Sequence, residues 1–273
     1  MDKKISKIIK EALKEDIPKK DISSEYLFSK EKTIAKFIAK EAGVISGINI
    51  AKLTFLEIDS NIDFTIYKDD SEIVNKGDLI AEVSGLIKSI LKAERVALNF
   101  LQRMSGIATL TKAFVDETKG YKTKILDTRK TTPLLRFLEK KAVRDGGGTN
   151  HRMNLSEMVM LKDNHLKAAN SIIEAVDIVR KNVGKAVQIE VEVETLADLK
   201  TALKSDCDII MLDNMDNETM IKAVEINKNI KLLEASGNMT INRIKTVCQT
   251  GVDFISVGAL THSYKSLDIS LKF

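Results

Sequence analysis

The 273-residue sequence has no run of 18 apolar residues, so no segment reads as a membrane-spanning helix. Its opening stretch, MDKKISKIIKEALKEDIP, alternates charge with aliphatics and lacks the apolar core of a signal peptide. The expectation is a cytoplasmic protein without membrane contact. Cysteine is scarce: Cys207 and Cys248 each sit in an apolar stretch with no metal-ligand spacing, which points to buried free thiols. There are only 3 histidines, and no HxH, HxxxH or HExxH spacing occurs, which argues against a histidine metal site. Nucleic-acid motifs are missing too, and the net charge of +4 is spread along the chain, so no nucleic-acid partner is expected.

What is present is an ordinary globular composition, 44% hydrophobic and 30% charged, long enough for one large domain or two moderate ones. Charge becomes informative locally. Between Arg129 and Lys162 stand eight basic residues against three acidic ones, a surplus of five in a chain whose total is +4. A solvated helix face accounts for Lys140 and Lys141, whereas Arg129, Arg152 and Lys162 fall where regular elements meet loops and read as anion ligands. The same stretch holds GGGTNHR, residues 146–152. Three glycines are compatible with a flexible loop or with a backbone that must turn tightly or be approached closely.

From about residue 122 short apolar runs alternate with amphipathic helices: KTKILDT and TPLLRFLEKKAV, EMVML and SIIEAVDIVRKN, AVQIEVEVE and LADLKTALKS, CDIIML and NETMIKAVEIN, KLLEA and TINRIKTVCQT, then VDFISVG. Six βα-type units predict a parallel sheet, with a barrel as its closure. Thr132 reads as an N-cap with Pro133 at the first helical position, and Thr195 as the cap of LADLKTAL. The residues able to do chemistry follow the strands, as barrel active sites require. Glu190, Glu192 and Glu194 alternate with valines and share one strand face, either the barrel interior or the helix layer. An inward cluster would need cations, a metal or a ligand. All three histidines are expected in loops, His151 in a functional role and His262 in a structural one.

The first part reads differently. An amphipathic helix (Ile5, Ile8, Ile9, Ala12, Leu13) precedes extended stretches TIAKFIAKEAGVISG, DFTIYKD and DLIAEVSG with short helices between, a mixed α+β domain over residues 1–103. The barrel domain is expected over 104–264. LDISLKF at the end alternates, with Leu267, Ile269, Leu271 and Phe273 on one face, and is expected to return over 265–273 as a strand to the first domain's sheet.

The ordered set ERVALNFLQRMSGIATLT (94–111), LDTRKTTP (126–133), EKKAVRDGGGTNHR (139–152), LKDNH (161–165), IEVEVE (189–194), IIMLDNM (209–215), EASGN (234–238) and GVDFISVGALTHS (251–263) resembles the motif series of the quinolinate phosphoribosyltransferases. The resemblance implies a type II phosphoribosyltransferase fold, an N-terminal open α/β sandwich plus an incomplete α/β barrel, working as a homodimer with shared active sites or as a hexamer. It implies transfer of the phosphoribosyl group of 5-phosphoribosyl 1-diphosphate to quinolinate with decarboxylation, in NAD biosynthesis, with Mg²⁺. Carried over residue by residue, it places quinolinate on Arg129, His151, Arg152 and Lys162, with Arg95 arriving from the other subunit. Lys130 contacts phosphate. Glu192 and Asp213 hold ribose hydroxyls or, indirectly, the Mg²⁺ of the diphosphate. Backbone amides of Ser236, Gly237, Asn238, Gly258, Ala259 and Leu260 take the 5-phosphate. Departures from the motif are Leu134 before Leu135, where a glycine is expected, Asp145 in place of a small or neutral residue, and Asn154, where another glycine is expected. Two other readings are a paralogous enzyme of the molybdenum-operon type with a different acceptor, and a non-catalytic metabolite-binding regulator on the same scaffold.

Overall fold

The computed structural model describes residues 2–273, and the chain divides into two compact units. The first comprises residues up to Leu110 together with Arg144–Gly147 and Tyr264–Phe273. It contains α1 (Asp2–Asp16), α2 (Ser24–Leu27), β1 (Lys32–Ala39), β2 (Gly43–Val44), α3 (Ile48–Ile58), β3 (Asp63–Ile66), β4 (Ile73–Val74), β5 (Leu79–Leu86) and most of α4 (Ile87–Asp116). Helix α1 buries Ile5, Ile9 and Leu13, four residues apart along one face, and exposes its lysines. β1, β3 and β5 form an antiparallel sheet in which alternate residues Ala35, Phe37 and Ala39 of β1 are fully buried. Phe37, Phe55 and Phe64 meet there with ring centroids 5.7–5.9 Å apart, tilted or edge-on, the geometry that the ring quadrupoles favour.

The second unit comprises Thr111–Val143 and Gly148–Ser263. Here β6 (Lys124–Leu126), α5 (Arg136–Asp145), β7 (Val159–Leu161), α6 (Asp163–Ala168), α7 (Ile172–Val183), β8 (Ile189–Val193), α8 (Leu196–Ala202), β9 (Ile209–Asp213), α9 (Asn217–Asn227), β10 (Leu232–Ser236), α10 (Ile241–Cys248), β11 (Phe254–Ser256) and α11 (Ala259–His262) follow one another. The six strands make one parallel sheet in the order β6-β11-β10-β9-β8-β7. β6 and β7, its edges, do not pair with each other among the described residues, so the barrel is incomplete. The edge of β6 is instead met by the chain leaving the glycine loop: the Thr149 N–H donates to the Ile125 carbonyl at 2.9 Å and the Asp127 N–H to the Thr149 carbonyl at 3.2 Å. β8 is buried at every position, as a central strand covered on both faces must be. Cys207 and Cys248 are buried and free.

Strand β12 (Ile269–Lys272) belongs to the first unit and pairs antiparallel with β1, Leu271 opposite Phe37. Leu267, Ile269 and Leu271 are buried there, but Phe273, one residue past the last pair, Lys36 with Lys272, is exposed. Of the two N-caps read from the sequence, one forms. Thr195 does cap α8, accepting the Asp198 N–H at 3.1 Å. Thr132 does not cap α5, because Leu134 adopts φ +67°, a left-handed conformation that no helix interior allows, and α5 begins at Arg136. Arg95 lies inside the 30-residue α4, into which β5 runs directly. His165 and His262 lie within the short helices α6 and α11 and not in loops. No described helix is long and apolar enough to cross a membrane.

Candidate active site

A cavity of about 870 Å³ opens in the second unit at the C-terminal ends of its strands. Strand parity decides what faces it. Paired residues of neighbouring parallel strands point the same way, so Glu192, Met211 and Glu234 form one row and Asp213 and Ser236 the next. All five line the cavity. Of the three alternating glutamates, Glu190 and Glu192 are buried inward, and Glu194, past the end of β8, is exposed.

One side of the cavity is basic. Arg129 and Lys130 follow β6, His151 and Arg152 follow the glycine loop, and Lys162 follows β7. Gly147 stands at φ +88°, and a Cβ on Gly148 would lie 2.8 Å from both Thr111 Cγ2 and Val143 Cγ1, so this loop is a tight turn packed on α4 and α5. The turn delivers His151 to a buried anchor. Asp127 accepts the His151 N–H at 2.9 Å and the Asn150 amide, and Lys140 pairs with Asp127 while donating to the His151 carbonyl at 2.8 Å. Lys140 is therefore fully buried and not on a solvated helix face; α5 turns it under the loop. Burial raises the Asp127 carboxyl and lowers the Lys140 ammonium, each against the pull of the other.

Arg152 is buried, its Nη1 donating to the Met158 carbonyl at 3.0 Å and its Nη2 lying 3.5 Å from Met160 Sδ. Arg129 keeps a buried Nε without a partner, a donor that needs an acceptor. Lys162 Nζ is 2.6 Å from Glu192 Oε2. Burial, and then the Glu192 charge, push the Asp213 carboxyl up.

Below the cations, His151 Nε2 lies 3.0 Å from Glu190 Oε2 and 3.3 Å from Glu234 Oε2, and both carboxyls are fully buried. Burial by itself lowers the imidazole; the hydrogen bonds and charges of the two carboxylates outweigh it and carry His151 up to about 10. The Arg152 N–H, aimed at Nδ1 from 2.7 Å, works against a second proton on that nitrogen. Burial and the neighbouring Glu234 charge hold Glu190 up to about 7. Glu234 was not singled out from sequence, although it precedes Ser236 by two on one strand and so shares its face.

The loops after β10 and β11 close the other side. Asn214, after β9, and Asn238, after β10, both take left-handed φ, and a Cβ on Gly237 would fall 2.1 Å from Asn214 Oδ1, so only glycine lets the loops after β9 and β10 interlock. Gly258 faces Lys130, whose carbonyl accepts the Thr261 hydroxyl at 2.8 Å. Of the residues singled out by sequence, Arg129, Lys130, His151, Arg152, Lys162, Glu192, Asp213, Ser236, Gly237, Asn238, Gly258 and Ala259 line this one cavity. Leu260 is fully buried and does not line it, and Arg95 is exposed on α4 in the first unit. The motif departures have local explanations. Asp145 accepts the Ser46 hydroxyl at 2.6 Å, and Asn154 accepts the Ser156 N–H at 2.8 Å in a turn of its own making. Leu134 alone keeps the glycine-like φ with no compensation, being 83% exposed.

The chain that builds this pocket has relatives over nearly its whole length. Residues 21–105 match the family described as quinolinate phosphoribosyl transferase, N-terminal domain, and residues 107–272 its C-terminal domain. The probable nicotinate-nucleotide pyrophosphorylase [carboxylating] of Bacillus subtilis is 43% identical over 98% of this chain and 92% of its own length. The NadC structure from Streptococcus pyogenes superposes with a TM-score of 0.96 at 42% identity, covering 98% of this chain and 95% of that one. The nicotinate-nucleotide pyrophosphorylase structure from Francisella tularensis gives 0.95 at 40% identity, covering 99% and 96%. Agreement in sequence and fold across both units leaves one conclusion: the chain belongs to the quinolinate phosphoribosyl transferase family.

Proposed function

We propose that this protein joins quinolinate to 5-phosphoribosyl 1-diphosphate, releasing diphosphate and carbon dioxide and forming nicotinate mononucleotide for NAD biosynthesis in the cytoplasm. The observation that carries the reading is the division of the cavity into a cationic wall (Arg129, Arg152, Lys162) and a carboxylate wall (Glu192, Asp213) joined by the 2.6 Å Lys162–Glu192 ion pair. Quinolinate's two carboxylates meet the cations, the unpartnered Arg129 Nε among them. The ribose hydroxyls meet Glu192 and Asp213. The 5-phosphate takes backbone amides of the loops around Ser236–Asn238 and Gly258–Ala259, and Lys130 contacts phosphate.

Two carboxylates beside an anionic diphosphate are a donor set that suits a hard divalent cation, and Mg²⁺ held through the substrate by Glu192 and Asp213 would neutralise charge on the leaving group. The protein's own groups do the rest. The pyridine nitrogen forms its bond to ribose C1 as the bond to diphosphate breaks, and Glu192 opposes the positive charge that develops on the ribosyl centre. The C2–carboxylate bond then breaks, leaving its electron pair on C2 to take a proton, while Arg129, Arg152 and Lys162 offset the anion. Arg95, exposed on α4, serves the site of a second copy in a homodimer or a hexamer built from it.

Incubating purified protein with quinolinate, nicotinate or nicotinamide, each with the ribosyl donor and Mg²⁺, tests this. Quinolinate alone reacts, because an acceptor lacking one carboxylate leaves desolvated cations unpaired at a cost of several kcal/mol. Comparable turnover of nicotinate refutes it; turnover of a different acceptor points to the molybdenum-operon type, and binding without turnover to a regulator.

A further inference from the structure

Arg136 has no part in the roles assigned above. It is the first residue of α5, directly after the Thr132–Leu135 turn, and its guanidinium forks between two segments. Nε donates to the Thr131 hydroxyl at 2.9 Å and Nη2 points to the Arg129 carbonyl at 3.4 Å, while Nη1 donates to the Met153 carbonyl at 3.1 Å. The first two acceptors belong to the segment carrying Arg129 and Lys130. The third belongs to the segment carrying His151 and Arg152. One rigid, planar cation thus bridges the two loops that present the cavity's arginines.

Such a tie has a physical purpose. Arg129 and Arg152 repel each other, and Arg152 feels that charge as its next-largest perturbation after burial. Without an anion between them, like charges on separate loops drift apart unless the backbones are held. An acceptor with two carboxylates on adjacent ring carbons tolerates little change in that spacing. A single carboxylate tolerates much more.

We propose that Arg136 is a positioning residue that sets the separation of Arg129 and Arg152 and thereby makes the site selective for a dicarboxylate acceptor. This rests on the functional reading above. Lysine at 136 keeps the charge but has no fork, so it can hold one loop and not both.

The test is calorimetric binding of quinolinate, nicotinate and 5-phosphoribosyl 1-diphosphate to the wild type, Arg136→Lys and Arg136→Met, with thermal melts alongside. Both variants should lose about 10- to 100-fold in quinolinate affinity, the worth of one hydrogen bond from a charged donor. Ribosyl-donor affinity should stay within about twofold, and the quinolinate preference over nicotinate should fall in step. Quinolinate affinity retained within about twofold in the lysine variant overturns the proposal, as does equal loss of both substrates with a lowered melting temperature. The lysine variant decides the matter if the methionine variant does not fold. A wild type that binds no quinolinate refutes the functional reading, and this inference with it.

Discussion

Replacing Lys140 by methionine strikes the anchor beneath the acceptor loop. The Lys140 and Asp127 side chains are 0% exposed, and Asp127 also accepts the His151 N–H at 2.9 Å. Methionine fills the space of the lysine stem but leaves a buried carboxylate with only neutral donors, and removes the 2.8 Å bond to the His151 carbonyl. Breaking a buried pair from one side costs about 3–5 kcal/mol. At about 2–4 °C per kcal/mol for a unit of this size, the melting temperature should drop by roughly 6–20 °C. Burial already raises the Asp127 carboxyl, and without Lys140 the folded state holds that proton still more tightly than the unfolded chain does. The defect should therefore deepen as pH rises through the folded-state pKa of Asp127, and shrink toward acid. Adding Asp127→Asn should restore most of the loss, because the amide keeps a carbonyl for the His151 N–H and carries no charge. Thermal melts and urea titrations of the two single variants and the double variant from pH 5 to 9 measure this. A Lys140→Met protein within about 1 kcal/mol of wild type at pH 8, or a double variant worse than either single one, would refute the buried-anchor argument.

Leu134→Gly should stabilise by up to about 1 kcal/mol, since relief of a left-handed leucine slightly exceeds the chain entropy of glycine and an exposed side chain is all that is lost; a destabilised variant contradicts the strain. His151 and Glu190 both bind protons more tightly folded than unfolded, so their contribution to stability should fall as pH rises from about 4.5 through 7 for Glu190 and from about 6.5 to 10 for His151. Glu190→Gln should flatten that decline in melts across pH 5–10, and an unchanged slope would remove Glu190 as its cause. Glu192→Gln and Asp213→Asn should abolish turnover yet leave calorimetric quinolinate binding intact; loss of that binding would break the division into two walls. Arg95→Ala and Lys162→Ala, each nearly inactive alone, should regain about half the wild-type rate in purified mixed dimers, where one site carries both defects and the other none. Heterodimers as dead as their parents would place Arg95 outside any shared site.

Period and turn chemistry made the strand–helix alternation legible in the sequence, and the resemblance to the family supplied the roles of the site residues. Alternating apolar runs announced six parallel strands, the Thr195 cap announced its helix, and the position of Arg129, Lys162, Glu192 and Asp213 at or near strand ends announced one cavity, because strand ends are local features and barrels put their C-terminal ends on one face. Backbone sign was not legible: TTP at 131–133 looks like a helix start, and only the left-handed Leu134 delays α5 to Arg136. Nor was the partner of a charge. Lys140 beside Lys141 resembles any solvated pair, and its partner inside the protein is Asp127, 13 residues earlier, just after β6. Glu190 and Glu234 lie 44 residues apart in sequence and meet at His151 only because β8 and β10 both flank β9 and a glycine turn carries a third chain segment onto the edge of β6. Local propensity depends on neighbours along the chain; desolvation and pairing depend on neighbours in space, and those exist only once the sheet and its covering helices have assembled.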